Sequence, residues 1–397
     1  MTAGKRHPLR GLSWRWVPPL LPVLLAVVAP GCGDGSAPAP EARPPAGPTK
    51  PVEGASAAAL PASTGVPYRT AAQCGTCHRA IYEEWKASMH GQAMSDYLFL
   101  ELPTERSEEC IRCHAPVPIR DVDFDVPIAR LDRREDAVSC LSCHQAGDHM
   151  AGPSEGLEDA PCRPIYDPAQ QNVVKMCFGC HNQHDTGTEW LNSAYGPHAA
   201  EPRARPRSSC LDCHMPVVTR PIVEGGKPRR SRRHTWPGGH DLALLRTAAL
   251  IDVTVDPLEG GGKRFRVWVE NVGAGHNIPT DSRHRSFDTY VKLWDADGNV
   301  ILDPLVPAQQ RRAHAAVYRK FYRNSGERDT QIPPLARVST LEASKGYVDV
   351  PEATKGRGEA WLVYRLTPDD QLEAKSLTNP EDFQFYRARV VARTAFT

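Results

Sequence analysis

Five copies of one short pattern, two cysteines three positions apart followed at once by a histidine, constrain this chain most. They read CGTCH, CIRCH, CLSCH, CFGCH and CLDCH, and their first cysteines lie 36, 30, 37 and 33 residues apart. The cysteines are Cys74, Cys77, Cys110, Cys113, Cys140, Cys143, Cys177, Cys180, Cys210 and Cys213, and the histidines are His78, His114, His144, His181 and His214. Segments of this length are too short to build an ordinary apolar core between the motifs. Whatever the motifs bind must form much of that core, and the helices must be short with many loops between them.

The repeated histidine discriminates between the kinds of site that paired cysteines form. Zinc sites, disulfides and thioredoxin-like redox motifs all use such pairs, but none of them requires a histidine at the next position five times. Cys-x-x-Cys-His is the attachment signature of haem c, whose vinyl groups react with the two thiols and whose iron binds the imidazole. We therefore expect five covalently attached haems c, packed closely enough for electrons to move between the irons.

Nine histidines outside the motifs and the N-terminal segment can supply the distal axial ligands. Two of them end copies of one internal repeat, WKASMH after the first motif and WLNSAYGPH after the fourth. Two more lie in RRHTWPGGHD, where the chain leaves the fifth motif. A further one lies in a glycine-rich stretch near residue 275, and other histidines and several methionines are weaker candidates. The predicted distal ligands are His90, His198, His234, His240 and His276.

The order C-x2-C-H…W-x2-S-x-H, the repeated motifs and the stretch CLDCHMP resemble the cytochrome c-554 type of multihaem cytochrome over about residues 68–240. The resemblance implies an exported electron carrier, related in haem packing to hydroxylamine-oxidising and nitrite-reducing enzymes. The named member of that family has four haems, whereas this chain has five motifs. No C-x-x-C-K motif occurs, so the lysine-ligated catalytic haem of pentahaem nitrite reductases is not indicated.

From about residue 245 the apolar residues alternate with polar ones at a period of two, as in LIDVTVD and KRFRVWVEN. Several such runs separated by turn residues predict an antiparallel β-sandwich of the immunoglobulin-like sort. The fold class is therefore α+β multidomain, with a mainly α, loop-rich pentahaem domain at 67–244 and an all-β domain at 245–397. In the β domain, NVGAGHNIPT resembles a segment of C-terminal domains of some multihaem cytochromes, and its small residues would let His276 approach a haem.

The N-terminal segment 1–31 has a basic stretch followed by an apolar one and predicts a signal peptide. The residues APGC then resemble a lipoprotein signal, so lipidation of Cys32 and ordinary cleavage are both open. Residues 32–66, rich in proline and alanine, predict a disordered linker. We expect a periplasmic or outer-surface location, with a possible membrane tether through Cys32.

The favoured function is electron transfer between redox partners, such as other cytochromes or membrane quinol-linked complexes. Without residues 1–31 the formal net charge is −3, which gives no reason to propose a nucleic acid as a partner. Two alternatives stay open. One haem with an open sixth position could act on a small nitrogen or sulfur compound, or the β domain could dock a partner. The sequence predicts no catalytic residue.

Overall fold

A computed structural model of the chain describes residues 70–96, 99–100, 107–122, 126–154, 162, 164–198, 209–280, 284–321, 328–339, 345–353, 356–367 and 389–397. The predicted signal peptide, Cys32 and the predicted linker lie outside the described residues. Within those ranges, no helix has the length and apolar character needed to cross a membrane. The described chain consists of helices and several sheets and is α+β.

The first part of the chain is built from short helices joined by loops. The helices are α1 (Ala71–Gly75), α2 (Arg79–Ala87), α3 (Glu108–His114), α4 (Cys140–His144), α5 (Val173–His181), α6 (Thr186–Leu191) and α7 (Cys210–His214). The short strands are β1 (Gln145–Ala146), β2 (His149–Gly152), β3 (Ile165–Tyr166), β4 (Val217–Arg220) and β5 (Arg229–Arg232), of which β4 and β5 form an antiparallel hairpin.

Helices of five to nine residues are marginal alone and depend on their ends. Three helices that carry haem-attachment motifs begin with a capping box, in which the N-cap side chain and the side chain three residues later exchange hydrogen bonds with backbone N–H groups. Their N-caps are Thr70, Ser139 and Ser209. Polar residues placed just before the motif cysteines therefore help to fold the attachment sites.

Helix α8 (Leu242–Ala248) leads from the helical part directly into the first long strand. Its N-cap Asp241 accepts a hydrogen bond from the Leu244 N–H. The predicted boundary between the two domains, between residues 244 and 245, therefore lies inside this helix. The connection between the two parts is thus a packed helix.

The second part contains two antiparallel sheets. Strand β7 (Lys263–Asn271) pairs on one side with β6 (Ala249–Pro257) and on the other with β11 (Arg337–Val338) and β12 (Tyr347–Val350). The other sheet has the order β10–β8–β13–β14, with β9 paired to β8. Its strands are β8 (Ser286–Trp294), β9 (Val300–Leu302), β10 (His314–Arg319), β13 (Arg357–Arg365) and β14 (Arg389–Phe396), and helix α9 (Pro307–Ala313) connects β9 to β10.

Buried apolar side chains are distributed very unevenly between the two parts. In the larger cluster among the described residues, every member lies at or after residue 242. Its side chains come from both sheets of the second part. The other cluster consists of Phe99, Ile111 and Ala115. The prediction that the motif segments hold little apolar core of their own agrees with this distribution.

Candidate haem-binding site

Each motif lies on one helical turn. In α3, α4, α5 and α7 both cysteines and the histidine belong to the same helix. In the first motif the His78 N–H donates to the Cys74 carbonyl at 2.9 Å, so the turn continues from α1 toward α2. Because helix positions three apart lie on one face, the two thiols of a motif can reach one porphyrin edge.

Motifs from different segments meet through their thiols. The thiols of Cys74 in the first motif and Cys140 in the third lie close enough to influence each other's pKa, as do those of Cys113 in the second and Cys180 in the fourth. Burial raises the pKa of Cys143 to about 11, which keeps this thiol protonated at neutral pH. The fold therefore brings groups attached to different motifs close together.

Cys213 departs from the other motif cysteines. Cys213 is disulfide-bonded, whereas the other nine motif cysteines form no disulfide. Thioether attachment requires the reduced thiol at this position.

The motif histidines share a hydrogen-bonding arrangement that determines their tautomer. Nδ1 lies within 2.6–3.0 Å of a backbone carbonyl in His78, His114, His144 and His214, whose acceptors are Ile222, Ala93, Ala151 and Pro237. A carbonyl can only accept, so Nδ1 carries the proton and Nε2 carries the lone pair that binds a metal. Backbone partners of this kind orient metal-ligating histidines.

Three motif histidines face a histidine from a distant segment. The ring centroids of His181 and His90 are 5.9 Å apart. The corresponding distances are 6.2 Å for His144 and His234 and 6.4 Å for His214 and His276. Two metal–nitrogen bonds of about 2 Å on opposite sides of one metal set the nitrogens about 4 Å apart and the ring centroids roughly 6 Å apart. The three pairs thus have the separation of two imidazoles that share one metal ion.

Burial lowers the pKa of four of these imidazoles and so favours the neutral form that binds a metal. It lowers the pKa of His90 to about 3 and that of His234 to about 4. The pKa values of His144 and His214 are also lowered by burial, although their carbonyl partners act in the opposite direction. These rings present a lone pair at any pH near neutrality.

The remaining candidate ligands lie elsewhere. His198 is exposed, and its backbone N–H donates to the Leu191 carbonyl at 3.2 Å. Within the described ranges, no ring contact joins His198 to a motif histidine. His240 is half-buried just before α8. His149 is partly exposed beside Asp148, with its Nδ1 3.1 Å from that carboxylate. Three of the five predicted distal ligands, His90, His234 and His276, thus lie beside a motif histidine.

The two copies of the internal repeat form the same side-chain hydrogen bond. The Ser88 hydroxyl donates to the Trp85 carbonyl at 2.6 Å at the end of α2, and the Ser193 hydroxyl donates to the Trp190 carbonyl at 2.9 Å at the end of α6. Each serine therefore terminates its helix in the same way. The copies then diverge, since the longer turn after the second carries His198 to the surface.

The small residues of NVGAGHNIPT allow the β part to approach the helical part. A Cβ on Gly275 would lie 3.2 Å from Tyr195 and 3.3 Å from Trp190, and a Cβ on Gly273 would lie 2.0 Å from the Thr247 carbonyl. Across the same contact, the Lys320 ammonium donates to the His184 carbonyl at 2.5 Å and to the Asp185 carboxylate at 3.0 Å. No motif in the sequence marks Lys320 as an interface residue.

The residues fit haem c better than a bare metal ion. Paired thiols on a helical turn, oriented imidazoles and opposed ring pairs are the groups that hold haem c. No group of three or more histidine, cysteine, aspartate and glutamate side chains is placed to hold a metal ion by itself within the part of the chain that is described.

Comparisons with known proteins agree with this donor set. Residues 73–145 match the family model described as cytochrome c554 and c-prime. The crystal structure of a penta-heme cytochrome c552 from Thermochromatium tepidum matches with a TM-score of 0.56 and 21% sequence identity, covering 83% of this chain and 98% of that one. At this identity the likeness is one of fold, and no curated protein matches the chain significantly. The chain is thus similar to the cytochrome c554 family over residues 73–145 and shares the fold of a penta-heme cytochrome, and its five Cys-x-x-Cys-His motifs agree with both likenesses.

Proposed function

We propose that the protein is an exported pentahaem cytochrome that passes electrons between redox partners through closely spaced haems c. The observation that carries the proposal is the set of three opposed imidazole pairs. One-electron exchange at iron is the chemistry that haem supplies when bound. An iron held by both histidines of a pair would have no position left for a substrate, which favours electron transfer over a reaction at that iron.

The proposed axial pairs are His181 with His90, His144 with His234, and His214 with His276. Their ring separations and the neutral state of the buried rings support this assignment. For the haems of the first and second motifs, His78 and His114 are the proximal ligands. We assign their distal ligands to the rest of the predicted set, His198 and His240.

The chain's own contribution is to hold and orient the ligands. Backbone carbonyls fix the Nδ1 proton of four proximal imidazoles and increase the basicity of Nε2. The thiol contacts of Cys74 with Cys140 and of Cys113 with Cys180 support close spacing of the first haem to the third and of the second to the fourth. Such spacing is what electron movement along a chain of irons requires.

The proposal extends to the organisation of the whole chain. Residues 67–244 are the pentahaem domain and residues 245–397 an immunoglobulin-like sandwich, supported by the two antiparallel sheets and their common core. Segment 1–31 directs export to the periplasm or the outer surface, residues 32–66 are a linker, and Cys32 is a possible lipid tether. Other cytochromes or membrane quinol-linked complexes are the partners.

Haem content and electron exchange test the proposal together. The full chain, produced in a host that attaches haem c, should show five haem additions by mass spectrometry after denaturation. A Cys140→Ala/Cys143→Ala variant is the matched control and should show four. The reduced protein should then be oxidised by a soluble c-type cytochrome in a stopped-flow experiment. Three or fewer haems in the unmodified chain, or no electron exchange with a protein partner, would refute the proposal.

A further inference from the structure

Both copies of the internal repeat carry a glutamate immediately before the tryptophan. Glu84 precedes Trp85 in YEEW, and Glu189 precedes Trp190 in GTEW. Both glutamates lie on the short helices α2 and α6 and are half-buried. A carboxylate held out of water at the same position of a repeat needs specific partners in each copy.

The Glu84 carboxylate joins helix α2 to the segment that carries His234. Its Oε2 accepts a hydrogen bond from the backbone N–H of His234 at 2.9 Å. The Arg220 guanidinium forms a bidentate pair with the same carboxylate at 2.5 and 2.7 Å, and both side chains are largely buried. Arg220 also donates to the Arg232 carbonyl, which accepts from His234 Nδ1 as well. The backbone and the ring of His234 are thus held from two directions.

The Glu189 carboxylate makes the equivalent connection to the segment that carries His276. Its Oε2 accepts from the Asn277 N–H at 3.1 Å and from the Thr280 hydroxyl at 3.0 Å. The Thr280 hydroxyl is also 2.7 Å from that of Thr186, at the start of α6. Burial raises the pKa of Glu189, although the hydrogen bonds from Thr280 and Asn277 act in the opposite direction.

We propose that Glu84 and Glu189 are equivalent positioning residues. Each holds the backbone at or next to a distal histidine, so that His234 faces His144 and His276 faces His214. The inference rests on the axial roles assigned above. His90 has a different arrangement, because it follows Trp85 on its own helix-terminating turn and needs no such anchor.

The acceptor atoms predict how conservative substitutions behave. Both hydrogen bonds of Glu189 go to one oxygen, so the amide oxygen of Glu189→Gln can keep both. Glu84 uses both oxygens, one for Arg220 alone and one for Arg220 and His234. Glu84→Gln therefore keeps the His234 bond but loses the bidentate charged pair.

The test measures the spin state of the haem-loaded full chain. Glu84→Ala and Glu189→Ala should each convert up to one haem in five to the high-spin form, bind carbon monoxide when reduced, and shift one reduction potential, with all haems still attached. Glu189→Gln should restore the low-spin spectrum, and Glu84→Gln should restore it only in part. Glu83→Ala, on the exposed neighbouring residue, is the matched control and should leave the spectrum unchanged.

The outcomes separate this inference from the ligand assignment. If His234→Ala and His276→Ala each give a high-spin haem but the glutamate variants stay low-spin, the inference is wrong and the ligands stand. The inference is wrong also if the glutamate variants lower the unfolding temperature but leave the spin state unchanged. If the histidine variants themselves stay low-spin, the ligand assignment fails. Where an alanine variant does not fold, the glutamine variants decide, because Glu84→Gln and Glu189→Gln should still differ in high-spin fraction.

Discussion

Histidine carries most of the chemistry of this protein because its two ring nitrogens act separately. Nδ1 donates to a backbone carbonyl in four motif histidines, which directs Nε2 to the metal position. Burial holds the pKa of His90 at about 3 and that of His234 at about 4, far below the usual value. The folded chain therefore presents neutral ligands without help from pH.

Replacing His90 tests the residue-level assignment directly. In His90→Ala we expect one haem of five to become high-spin and to bind carbon monoxide when reduced, because the iron bound by His181 loses its second imidazole. Absorption and electron paramagnetic resonance spectra measure the change. His149→Ala removes a partly exposed histidine that lies beside Asp148 and should leave both spectra as they are. A wholly low-spin His90→Ala protein would contradict the pairing of His90 with His181.

Arg130 has a structural role that no sequence motif indicates. Its buried guanidinium donates to the carbonyls of Pro116, Asp132, Arg133 and Ala137 and to the Ser139 hydroxyl. Because Pro116 follows the second motif and Ser139 precedes the third, this one side chain joins two haem-attachment segments.

Arg130→Met should lower the free energy of unfolding by about 3 kcal/mol or more, because several buried carbonyls lose their donor. Urea denaturation followed by circular dichroism measures the loss. Arg133→Met is the matched control, since the Arg133 side chain pairs with the exposed Asp132, and it should cost less than about 1 kcal/mol. Equal losses in the two variants would show that Arg130 has no special structural role.

At the scale of elements, the sequence predicted what is encoded locally. The five motifs, the Trp85 and Trp190 repeat and the alternating strands each have a signal within about ten residues, and the helices and strands appear there. The pairing of imidazoles could not be predicted, because nothing near His144 specifies His234. The two copies of the repeat show the same limit, since Ser88 is followed by His90 after one residue whereas three extra residues separate Ser193 from His198, and only the ring of His90 lies beside a motif histidine in the described chain.

The β8–β9 hairpin gives a pH-dependent prediction. The Lys292 ammonium lies 2.6 Å from the Asp303 carboxylate. Burial raises the pKa of Asp303, but the hydrogen bonds from Lys292 and the Leu305 N–H outweigh it and leave the pKa below its ordinary 3.8. The unfolded chain therefore binds a proton more readily, so this stabilisation is full well above pH 3.8 and is lost as the pH falls through the lower folded value.

Asp303→Asn should accordingly destabilise the protein by roughly 1–2 kcal/mol at pH 6 and by less at pH 3. Urea unfolding at the two pH values gives the difference. Asp297→Asn, in the exposed turn of the same hairpin, should show no such dependence. A loss for Asp303→Asn that is the same at both pH values would contradict the assigned role.

At the scale of the whole molecule, the β part brings an imidazole next to a motif histidine of the helical part. His276 follows β7 of the β part, and its ring lies 6.4 Å from that of His214 on α7. If His276 is the distal ligand that we propose, one iron joins the two parts. If the β part were a separate docking module, its removal would leave the haems of the helical part unchanged.

Ending the chain after Ala248 should leave five haems attached, because attachment needs only the local motifs. One haem should become high-spin and bind carbon monoxide when reduced, since the ligand from His276 is gone. His276→Ala in the full chain is the control and should reproduce the same single change. A truncated protein that stays low-spin and binds no carbon monoxide would refute the shared ligand.

The opposed rings have a consequence for how the protein matures. The partners of each pair are 91, 90 and 62 residues apart in the chain, whereas His90 lies only 12 residues beyond His78. A haem attached early therefore meets nearby wrong histidines before its own partner has been brought close. Long-range closure is slow, and compact non-native intermediates can persist.

Misligation should thus set the pace of folding. Unfolded histidines have a pKa near 6.5, so refolding of the haem-loaded chain from denaturant should be faster at pH 5.5 than at pH 7.5, with stopped-flow absorbance as the measurement. Added imidazole at pH 7.5 should accelerate it similarly by occupying iron reversibly, and equal rates under all three conditions would contradict the idea. A chain whose proposed axial ligands come from such distant segments would have to exchange a nearby ligand for the native one as it folds.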